Sequence, residues 1–385
     1  MINQRVLKAQ HLAQQDGEKP TIERSLRGQK LRRRVAIGDP QAPLLQFLSI
    51  LEVNHLLGED GRLAEDVQLI SLGDHFDWGT HAQRKQATRE GLELLAWLAA
   101  HPADQVTLLL GNHDLARVGE MVRFKDGNFE QVQEEATRIY TARPWNFRQE
   151  RAFLDNHPSL PSVEIAARDF ACFNERQRDL VRSLLLAGRF RAATAVDVNF
   201  LLCHAGFTEA DLETAGIRSQ ADAEQVAEAM NERLDVAVQN WNGLEPLHIE
   251  GLHLPGSGHH QEGRGIFYHR PEFVGGPTKP RESLVRRFDP RTLPKGITQV
   301  IGHTRDLKCR KLLGSWADSK KTPEGGLRFL RTDGQKVQYA PGVIEKTDAH
   351  QGSLIFADAN MGSVRASTYQ LLDLDSRRPF VRDGK

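Results

Sequence analysis

The sequence contains little cysteine, and its three cysteines form no recognisable disulfide or metal-binding pattern. Only Cys172, Cys203 and Cys309 occur in 385 residues, an odd number without a CxxC pair. This excludes a disulfide scaffold and a thiolate zinc site, and it makes a cytoplasmic location the expectation. Cys203 ends an apolar run, so we expect it to be a small buried hydrophobic residue rather than a nucleophile.

Long apolar runs and an excess of charge of one sign are also lacking. The longest apolar runs, 69–72, 106–110 and 200–203, have the length of strands, and the first fifteen residues contain no signal-like apolar core. We therefore expect neither export nor insertion into a membrane. Lys+Arg and Asp+Glu both number 51, so no global field attracts the chain to nucleic acid or to anionic lipid. On this ground we do not expect nucleic acid as a partner.

One segment does carry a local excess of positive charge. Residues 1–34 hold nine Lys or Arg against three Asp or Glu and end in three consecutive arginines. A flexible or loosely docked basic arm is the simpler interpretation, and polybasic contact with a phosphate-rich partner is the alternative. We assign the remainder to one domain, 35–375, followed by a tail at 376–385.

Within that domain, apolar runs alternate with segments of helical periodicity. We predict strands at 35–37, 67–72 and 105–110, with helices at 42–57 and 82–100 between them. This alternation is typical of an α/β fold. The stretch 115–195 reads as an inserted helical subdomain that includes Trp145, Phe147 and Phe153. Further strands are predicted at 198–203, 297–301 and 353–358, and 251–296 reads as loops.

Polar side chains follow five of these strands, each with glycine close by. They are Asp39, Asp74, Asn112, His204 and His303. Since ligands of open α/β sheets gather beyond the carboxyl ends of the strands, we expect these side chains to converge. Glycine keeps each turn tight and lets the backbone approach a ligand.

The chemistry of this set predicts a metal centre. Carboxylate, amide and imidazole donors without thiolate suit manganese, iron, zinc, nickel or magnesium rather than copper(I). The set is too large for one zinc ion, so two divalent ions that share a carboxylate fit better, with manganese as the favoured metal. Such a site remains cationic and should attract an anion, above all a phosphate.

The ordered motifs resemble those of a known family. GD at 38–39, GDHFDWG at 73–79, GNHD at 111–114, HAG at 204–206 and GHT at 302–304 resemble the calcineurin-like metallophosphoesterases. HAG and GHT are similar to the phosphoprotein phosphatase branch, and GNHDLA to its symmetrical dinucleoside tetraphosphate hydrolases. The resemblance spans roughly residues 35–375 and implies a four-layer α-β-β-α sandwich with a helical insertion.

The resemblance also implies roles for individual residues. Asp39 and Gln41 would bind the first metal, Asp74 would bridge, and Asn112, His204 and His303 would hold the second. His113 would be the general acid, with Asp77 fixing its tautomer. A metal-bridging hydroxide would attack phosphorus in line, and Arg270 in FYHRPE would bind phosphate.

Two positions depart from the family pattern. Gln41 stands where the family has histidine, so the first metal site offers a neutral amide oxygen in place of an imidazole. Trp78 stands where the family has a phosphate-binding arginine; packing is the simpler role for it, and stacking on an aromatic leaving group is the alternative. His75 is expected at the rim of the site, and His259–His260 resembles a loop.

These observations predict a binuclear metal-dependent phosphoesterase that hydrolyses phosphomonoesters or phosphoanhydrides. Its phosphorylated substrate is a small molecule or a phosphoprotein, so Ser/Thr phosphatase and dinucleoside polyphosphate hydrolase stay open. The rival from another class is a non-catalytic phosphate-binding protein with a degraded first metal site. A third idea is nucleic-acid processing guided by the basic arm. The sequence leaves the oligomeric state open.

Overall fold

Two β-sheets stacked face to face form the centre of the computed structural model, which describes residues 3–28, 33–170, 173–218, 220–258, 262–274 and 286–381. The strands within these ranges are β1 Arg33–Ile37, β2 Val67–Ser71, β3 Val106–Leu109, β4 Phe190–Arg191, β5 Ala193–Asp197, β6 Phe200–Cys203, β7 His253–Leu254, β8 Arg264–Gly265, β9 Arg270–Pro271, β10 Arg287–Phe288, β11 Thr298–Ile301, β12 Arg328–Thr332, β13 Val337–Pro341, β14 Gly352–Phe356 and β15 Leu372–Asp373.

Helices pack on the outer faces of these sheets and form a separate group in the insertion. The described α-helices are α1 Gln4–Glu18, α2 Leu44–Val53, α3 Arg84–Ala99, α4 Asn112–Val118, α5 Asn128–Thr141, α6 Phe147–Asn156, α7 Val163–Arg168, α8 Glu175–Leu186, α9 Glu209–Thr214, α10 Ala223–Asn240 and α11 Asp306–Leu313. The helix predicted at 42–57 is shorter than expected, and the one predicted at 82–100 is found within two residues.

The first sheet has the strand order β15-β1-β2-β3-β4. β1, β2, β3 and β4 are parallel, and β15 pairs antiparallel with β1 at the edge. Each step from β1 to β3 passes through a helix, as the alternating pattern predicts. The carboxyl ends of these three strands therefore lie at one edge of the sheet.

The second sheet is mixed, with the order β13-β12-β14-β11-β6-β5. Its central strands β14, β11 and β6 are parallel, whereas β12, β13 and β5 join by antiparallel pairing. Strands β5, β12 and β13 were not predicted. Each of these strands mixes buried residues with partly exposed ones, which gives a weaker signal than the continuous apolar runs of the central strands.

A core of aliphatic side chains joins the inner faces of the two sheets. It includes Ile70 and Leu109 from the first sheet and Leu202, Val300 and Ile355 from the second. On the outer faces, α3 packs beside β3 and α10 packs against β5 and β6. The order is helix, sheet, sheet, helix, which confirms the predicted four-layer α/β fold.

The basic N-terminal segment is packed on the domain over the part that the structure describes. Val6, Ala9 and Ala13 of α1 are buried where α1 contacts α3. These residues are spaced three and four apart, so they share one helix face. Arg33 and Arg34 lie in β1 and form ion pairs with Asp66 and Asp375. The expected loose arm is thus a docked helix and the start of a strand.

The helical insertion has a hydrophobic core of its own. Phe129, Phe153 and Leu160 from the segment between α4 and α8 are fully buried in it, whereas Phe147 is 76% exposed. The last part of the predicted range 115–195 differs, because β4 and the start of β5 lie there. At the other end of the chain, the Phe380 N–H donates to the Leu371 carbonyl, so the described tail folds back. The division into domains stays a prediction.

No α-helix among the described residues combines the length and the apolarity needed to span a bilayer. Cys203 is buried at the end of β6, and burial raises the pKa of its thiol, as expected for a packing residue. Cys309 is also buried, and Cys172 lies outside the described residues.

The docking of α1 gives a test of the fold. Ala9 is 0% exposed, so Ala9→Asp buries a carboxylate and should lower the free energy of unfolding by about 3 kcal/mol or more. Leu7 on the same helix is 48% exposed, and Leu7→Asp should change stability by about 0.5 kcal/mol at most. Denaturant unfolding measures both. Equal effects of the two variants would mean that α1 is not docked.

Candidate active site

Five polar residues that follow strands of both sheets meet at one edge of the sandwich. Asp39 follows β1, Asp74 follows β2 and Asn112 follows β3, while His204 follows β6 and His303 follows β11. Both sheets direct carboxyl ends of parallel strands to this edge, so residues far apart in the chain become neighbours. The predicted convergence of these five side chains is thus seen in the structure.

Two glycines make this close approach possible. A Cβ atom on Gly302 would lie 1.9 Å from Oδ1 of Asp39, and one on Gly111 would lie 2.2 Å from Oδ1 of Asp74. Neither distance is compatible with a side chain. The glycines beside the strand ends are therefore required because the two carboxylates lie directly against the backbone.

Backbone N–H groups hold the two carboxylates in place. The His303 N–H donates to both oxygens of Asp39, at 3.0 Å each, and the His113 N–H donates to Oδ1 of Asp74 at 2.8 Å. Asp74 and His303 both have positive φ, 59° in each case. Aspartate tolerates this left-handed region better than most residues, and the two turns place the carboxylate and the imidazole at the same point.

His204 is oriented as a metal ligand usually is. Its Nδ1 lies 2.7 Å from the Leu72 carbonyl oxygen, which makes Nδ1 the donor and leaves a lone pair on Nε2. Nε2 lies 3.1 Å from Oδ1 of Asn112, 3.2 Å from Nδ1 of His303 and 3.5 Å from Oδ1 of Asp74. Ligand atoms of Asp74, His204 and His303 all lie within 4.8 Å of one another.

Such a cluster of acceptor atoms fits a cation. With Nδ1 of His204 as the donor to the Leu72 carbonyl, Nε2 of the neutral ring offers a lone pair, and the facing oxygens of the Asp74 carboxylate and the Asn112 amide are acceptors as well. A divalent ion between them would satisfy all three. The donors are oxygen and imidazole nitrogen, the set preferred by the metals that the sequence predicts.

Asp39 lies near two other acidic side chains, Asp74 and Asp358. Burial, followed by the charges of Asp358 and Asp74, raises the pKa of Asp39 well above its ordinary value. Sequence analysis missed Asp358. It is buried and follows β14 after one intervening residue, so its signal was that of another strand-end aspartate, but without the neighbouring glycine.

Gln41 has a looser position than the other predicted ligands. Its Oε1 accepts a long hydrogen bond, 3.5 Å, from Nη2 of Arg305, and its side chain is partly exposed. Nε of Arg305 lies 3.8 Å from the carboxylate of Asp358. Gln41 thus lies at the rim, beside a cation, rather than in the buried group formed by Asp39, Asp74 and the two histidines.

Beside the cluster, His113 is held by a buried ion pair. Its Nδ1 lies 2.7 Å from Oδ2 of Asp77, and its Nε2 lies 3.9 Å from Oδ2 of Asp74. Burial lowers the pKa of His113, but the charge of Asp74 and the hydrogen bond to Asp77 outweigh this effect and raise the pKa to about 9. The two carboxylates therefore favour the protonated imidazole of His113, whose Nε2 lies toward the cluster.

Sequence analysis missed Arg117, which holds Asp77. Its two terminal nitrogens donate to the two oxygens of Asp77 at 2.8 and 2.7 Å. Burial raises the pKa of Asp77, but the charge of Arg117 and the bond to His113 outweigh it, so the pKa lies below its ordinary value. Arg117 follows His113 by four residues on α4, and this spacing on one helix face was the available signal.

Two neighbouring residues turn away from the site. His75 was expected at the rim but is fully buried, with Nδ1 3.0 Å from Asp114 and Nε2 2.9 Å from the Ser71 hydroxyl. Residues 74 and 75 point to opposite sides of the turn, so His75 faces the interior. Trp78 is 7% exposed and packs with Ala87, in keeping with the packing role. His259 and His260 lie outside the described residues.

Arg270 places a positive charge next to the cluster. Burial lowers the pKa of Arg270, while the nearby charges of Asp74, Asp169 and Asp39 act against this effect. Its charge in turn helps burial to lower the pKa of His303. Arg270 is thus close enough to Asp39 and Asp74 at the strand ends for their charges to act on it, as a phosphate-binding arginine would have to be.

The close contact at Gly302 gives a direct test of this geometry. Gly302→Ala should displace the Asp39 carboxylate and weaken Mn²⁺ binding by about tenfold or more, since a ligand carboxylate is moved by more than an ångström. Gly258→Ala, whose Cβ would meet Leu154 at an ordinary 3.5 Å, is the matched control. Calorimetric titration with Mn²⁺ measures both. Unchanged binding by a folded Gly302→Ala protein would contradict the role of Asp39.

Comparison with solved structures finds weak likenesses. The chain is 13% identical to a cold-active protein-tyrosine phosphatase of a psychrophilic Shewanella species, with a TM-score of 0.38 and coverage of 91% of this chain and 78% of that one. It is 12% identical to a protein serine/threonine phosphatase from Saccharomyces cerevisiae similar to human phosphatase PP5, with a TM-score of 0.33 and coverage of 84% and 72%. Among curated proteins, no significant match is found.

The family model gives a clear result. The model described as calcineurin-like phosphoesterase matches residues 33–241, more than half of the chain. This range includes Asp39, Asp74, Asn112, His113 and His204 of the cluster. The family uses divalent metals. With these residues gathered at the strand ends, the chain belongs to the calcineurin-like phosphoesterase family and is a metal-dependent phosphoester hydrolase.

Proposed function

We propose that the protein is a binuclear metal-dependent hydrolase of phosphomonoesters or phosphoanhydrides. The convergence of Asp39, Asp74, Asn112, His204 and His303 beside a buried His113–Asp77 pair is the observation that supports it. Hydrolysis requires both the five ligand residues and the His113–Asp77 pair. Bound cations without a proton donor would only bind phosphate, and a proton donor without cations would lack an activated nucleophile.

Six residues would hold two ions. Asp74 would be shared by both ions; Asn112, His204 and His303 would complete one position, and Asp39 and Gln41 the other. When bound, the ions would supply a water molecule of lowered pKa and a positive charge for the phosphoryl oxygens. Manganese is the preferred metal in this proposal, and iron, zinc, nickel or magnesium are compatible with the same donors.

His113 would donate the proton that the departing oxygen needs. The Asp77 carboxylate accepts from Nδ1, which fixes the ring so that Nε2 faces the cluster. Arg117 keeps Asp77 ionised and immobile through two hydrogen bonds. Asp77 is therefore a positioning residue, and its own proton affinity is too low for it to compete with His113 for the proton.

Arg270 would bind the oxygens of the phosphoryl group under attack. The planar guanidinium can donate two parallel hydrogen bonds to a phosphate. Trp78 stands where the family has another arginine, so in this proposal Arg270 takes a larger share of the binding. A cytoplasmic location and a phosphorylated small molecule or phosphoprotein as substrate remain predictions.

One observation favours the rival function, a phosphate-binding protein without catalysis. Gln41 lies at the rim beside Arg305 rather than inside the cluster, which would weaken the first metal position. The catalytic proposal is supported against it by His113, Asp77 and Arg117, because a binding protein has no need of a proton donor with two supporting residues. Metal-dependent turnover by the wild-type protein decides between the two.

The role of His113 is tested by a substitution that keeps a polar group. His113→Asn should lower kcat for an aryl phosphate monoester by about a hundredfold or more, because the leaving oxygen loses its proton donor. The content of bound Mn²⁺ should stay the same, since His113 is not among the proposed ligands. Steady-state kinetics and atomic emission measure these two quantities.

The control is His350→Asn, at an exposed position just before β14, at the opposite end of the second sheet. It should leave both quantities unchanged. A His113→Asn protein with full activity would contradict the proton-donor role. Wild-type protein without turnover on any divalent metal would instead favour the binding-protein alternative.

A further inference from the structure

A cluster of basic side chains extends outward from Arg270. β9 and β10 are paired in parallel, and the register sets Arg270 directly beside Arg287. Neighbouring strands lie about 4.8 Å apart, and paired residues project on the same side. Two guanidinium groups therefore start from adjacent backbone positions at the edge of the site.

Helix α11 adds a third positive charge to this cluster. The Phe273 N–H donates to the Leu312 carbonyl at 2.9 Å, which fastens the chain after β9 to the end of α11. Arg305, Lys308 and Leu312 are spaced three and four residues apart, so they share one face of the helix. Arg305 lies by Asp358 at one end of this face, and Leu312 lies by Phe273 at the other. Lys308 lies between them.

The charges in this cluster influence one another. Burial and then the charges of Arg270, Arg287 and Lys311 lower the pKa of Lys308, and Asp169 acts in the opposite direction. Glu272 lies 3.5 Å from Nη1 of Arg287. Asp39 and Asp74, which also act on Arg270, belong to the proposed metal cluster; outside it, the acidic side chains that these interactions name among the described residues are Asp169 and Glu272, beside Arg270, Arg287, Lys308 and Lys311. An anion would relieve this repulsion.

We propose that Arg270, Arg287 and Lys308 form a second anion site, which binds the phosphate next to the one that is hydrolysed. This rests on the proposed function and narrows its substrate class to phosphoanhydrides, in which a bridging oxygen joins the reacting phosphorus to another phosphate. Arg270 and Arg287 are paired in the register of β9 and β10, and Lys308 lies on the face of α11 that is fastened to the chain after β9. The charge of Asp74 acts on Arg270, and those of Arg270 and Arg287 act on Lys308, so an anion held by Arg287 and Lys308 would lie next to the one held by Arg270.

The reaction on such a substrate balances without a further reagent. Water adds its oxygen to the terminal phosphorus and releases one proton to the solvent, the bond from that phosphorus to the bridging oxygen breaks, and the bridging oxygen leaves with the electron pair. The leaving phosphate then carries additional negative charge. Arg287 and Lys308 would stabilise this charge, and His113 would supply the proton.

The experiment compares two substrates in the full-length protein supplied with Mn²⁺. Inorganic tripolyphosphate offers adjacent phosphates, whereas an aryl phosphate monoester offers one. The double variant Arg287→Gln, Lys308→Gln should lower the ratio of kcat/KM for tripolyphosphate to that for the monoester by about tenfold or more, as expected for the loss of charge-assisted hydrogen bonds. The main change should be a higher KM for tripolyphosphate.

The matched control removes a positive charge elsewhere. Lys336 is exposed in the turn between β12 and β13, at the end of the second sheet opposite to the site. Lys336→Gln should leave the ratio unchanged. An equal loss on both substrates in the double variant, or no loss on either, would overturn the second anion site.

A binding measurement separates this inference from the hydrolase activity. Calorimetric titration of the metal-free protein with tripolyphosphate should show binding that weakens about tenfold or more in the double variant. If that occurs while the wild-type protein hydrolyses neither substrate, the second anion site stands and the proposed hydrolase fails. If the double variant weakens the binding of a doubly phosphorylated peptide but not that of tripolyphosphate, the assignment of phosphoanhydrides as the substrate class is wrong.

Discussion

The structure depends on an electrostatic constraint at the edge of the sandwich. Carboxylates from the first sheet and imidazoles from the second lie close together around His204, and backbone N–H groups donate to the carboxylates. Such a group is unfavourable in a buried setting unless a cation balances it. Burial, with the charges of Asp358 and Asp74, accordingly raises the pKa of Asp39. A bound cation would therefore stabilise this group of strand ends. Gly111 and Gly302 leave the space in which the carboxylates of Asp74 and Asp39 pack against the backbone.

The contacts of Asp77 with His113 and Arg117 add a proton donor to the proposed metal site. α4 begins at Asn112, so one short helix carries a proposed ligand, His113 and Arg117 on consecutive turns. Asp77, on the turn after β2, joins His113 to Arg117 and thereby ties the helix to the strand that ends at Asp74. The position of the proton donor and that of the bridging carboxylate are thus set by the same two elements. A shift in either would disturb both functions together.

Much of this arrangement could be predicted from the sequence, because its signal is local. The central strands are apolar runs, and Asp39, Asp74, Asn112, His204 and His303 each follow one of them beside a glycine. What could not be predicted depends on partners remote in sequence. Asp358 has no glycine beside it. Arg117 can be recognised as a site residue only through its contact with Asp77, forty residues earlier. The three small apolar residues that α1 buries are interspersed with charged and polar residues in the sequence. Strand β12 and the edge strand β13 are defined by pairing rather than by an apolar run.

The most direct test is diffraction from crystals of the wild-type protein grown with Mn²⁺, with data collected at the manganese absorption edge. The account predicts two anomalous peaks in each chain, roughly 3.5–4 Å apart, with Asp74 between them. One peak should lie against Asn112, His204 and His303, and the other against Asp39. A single peak beside the histidines, with none at Asp39 and Gln41, would contradict the binuclear centre.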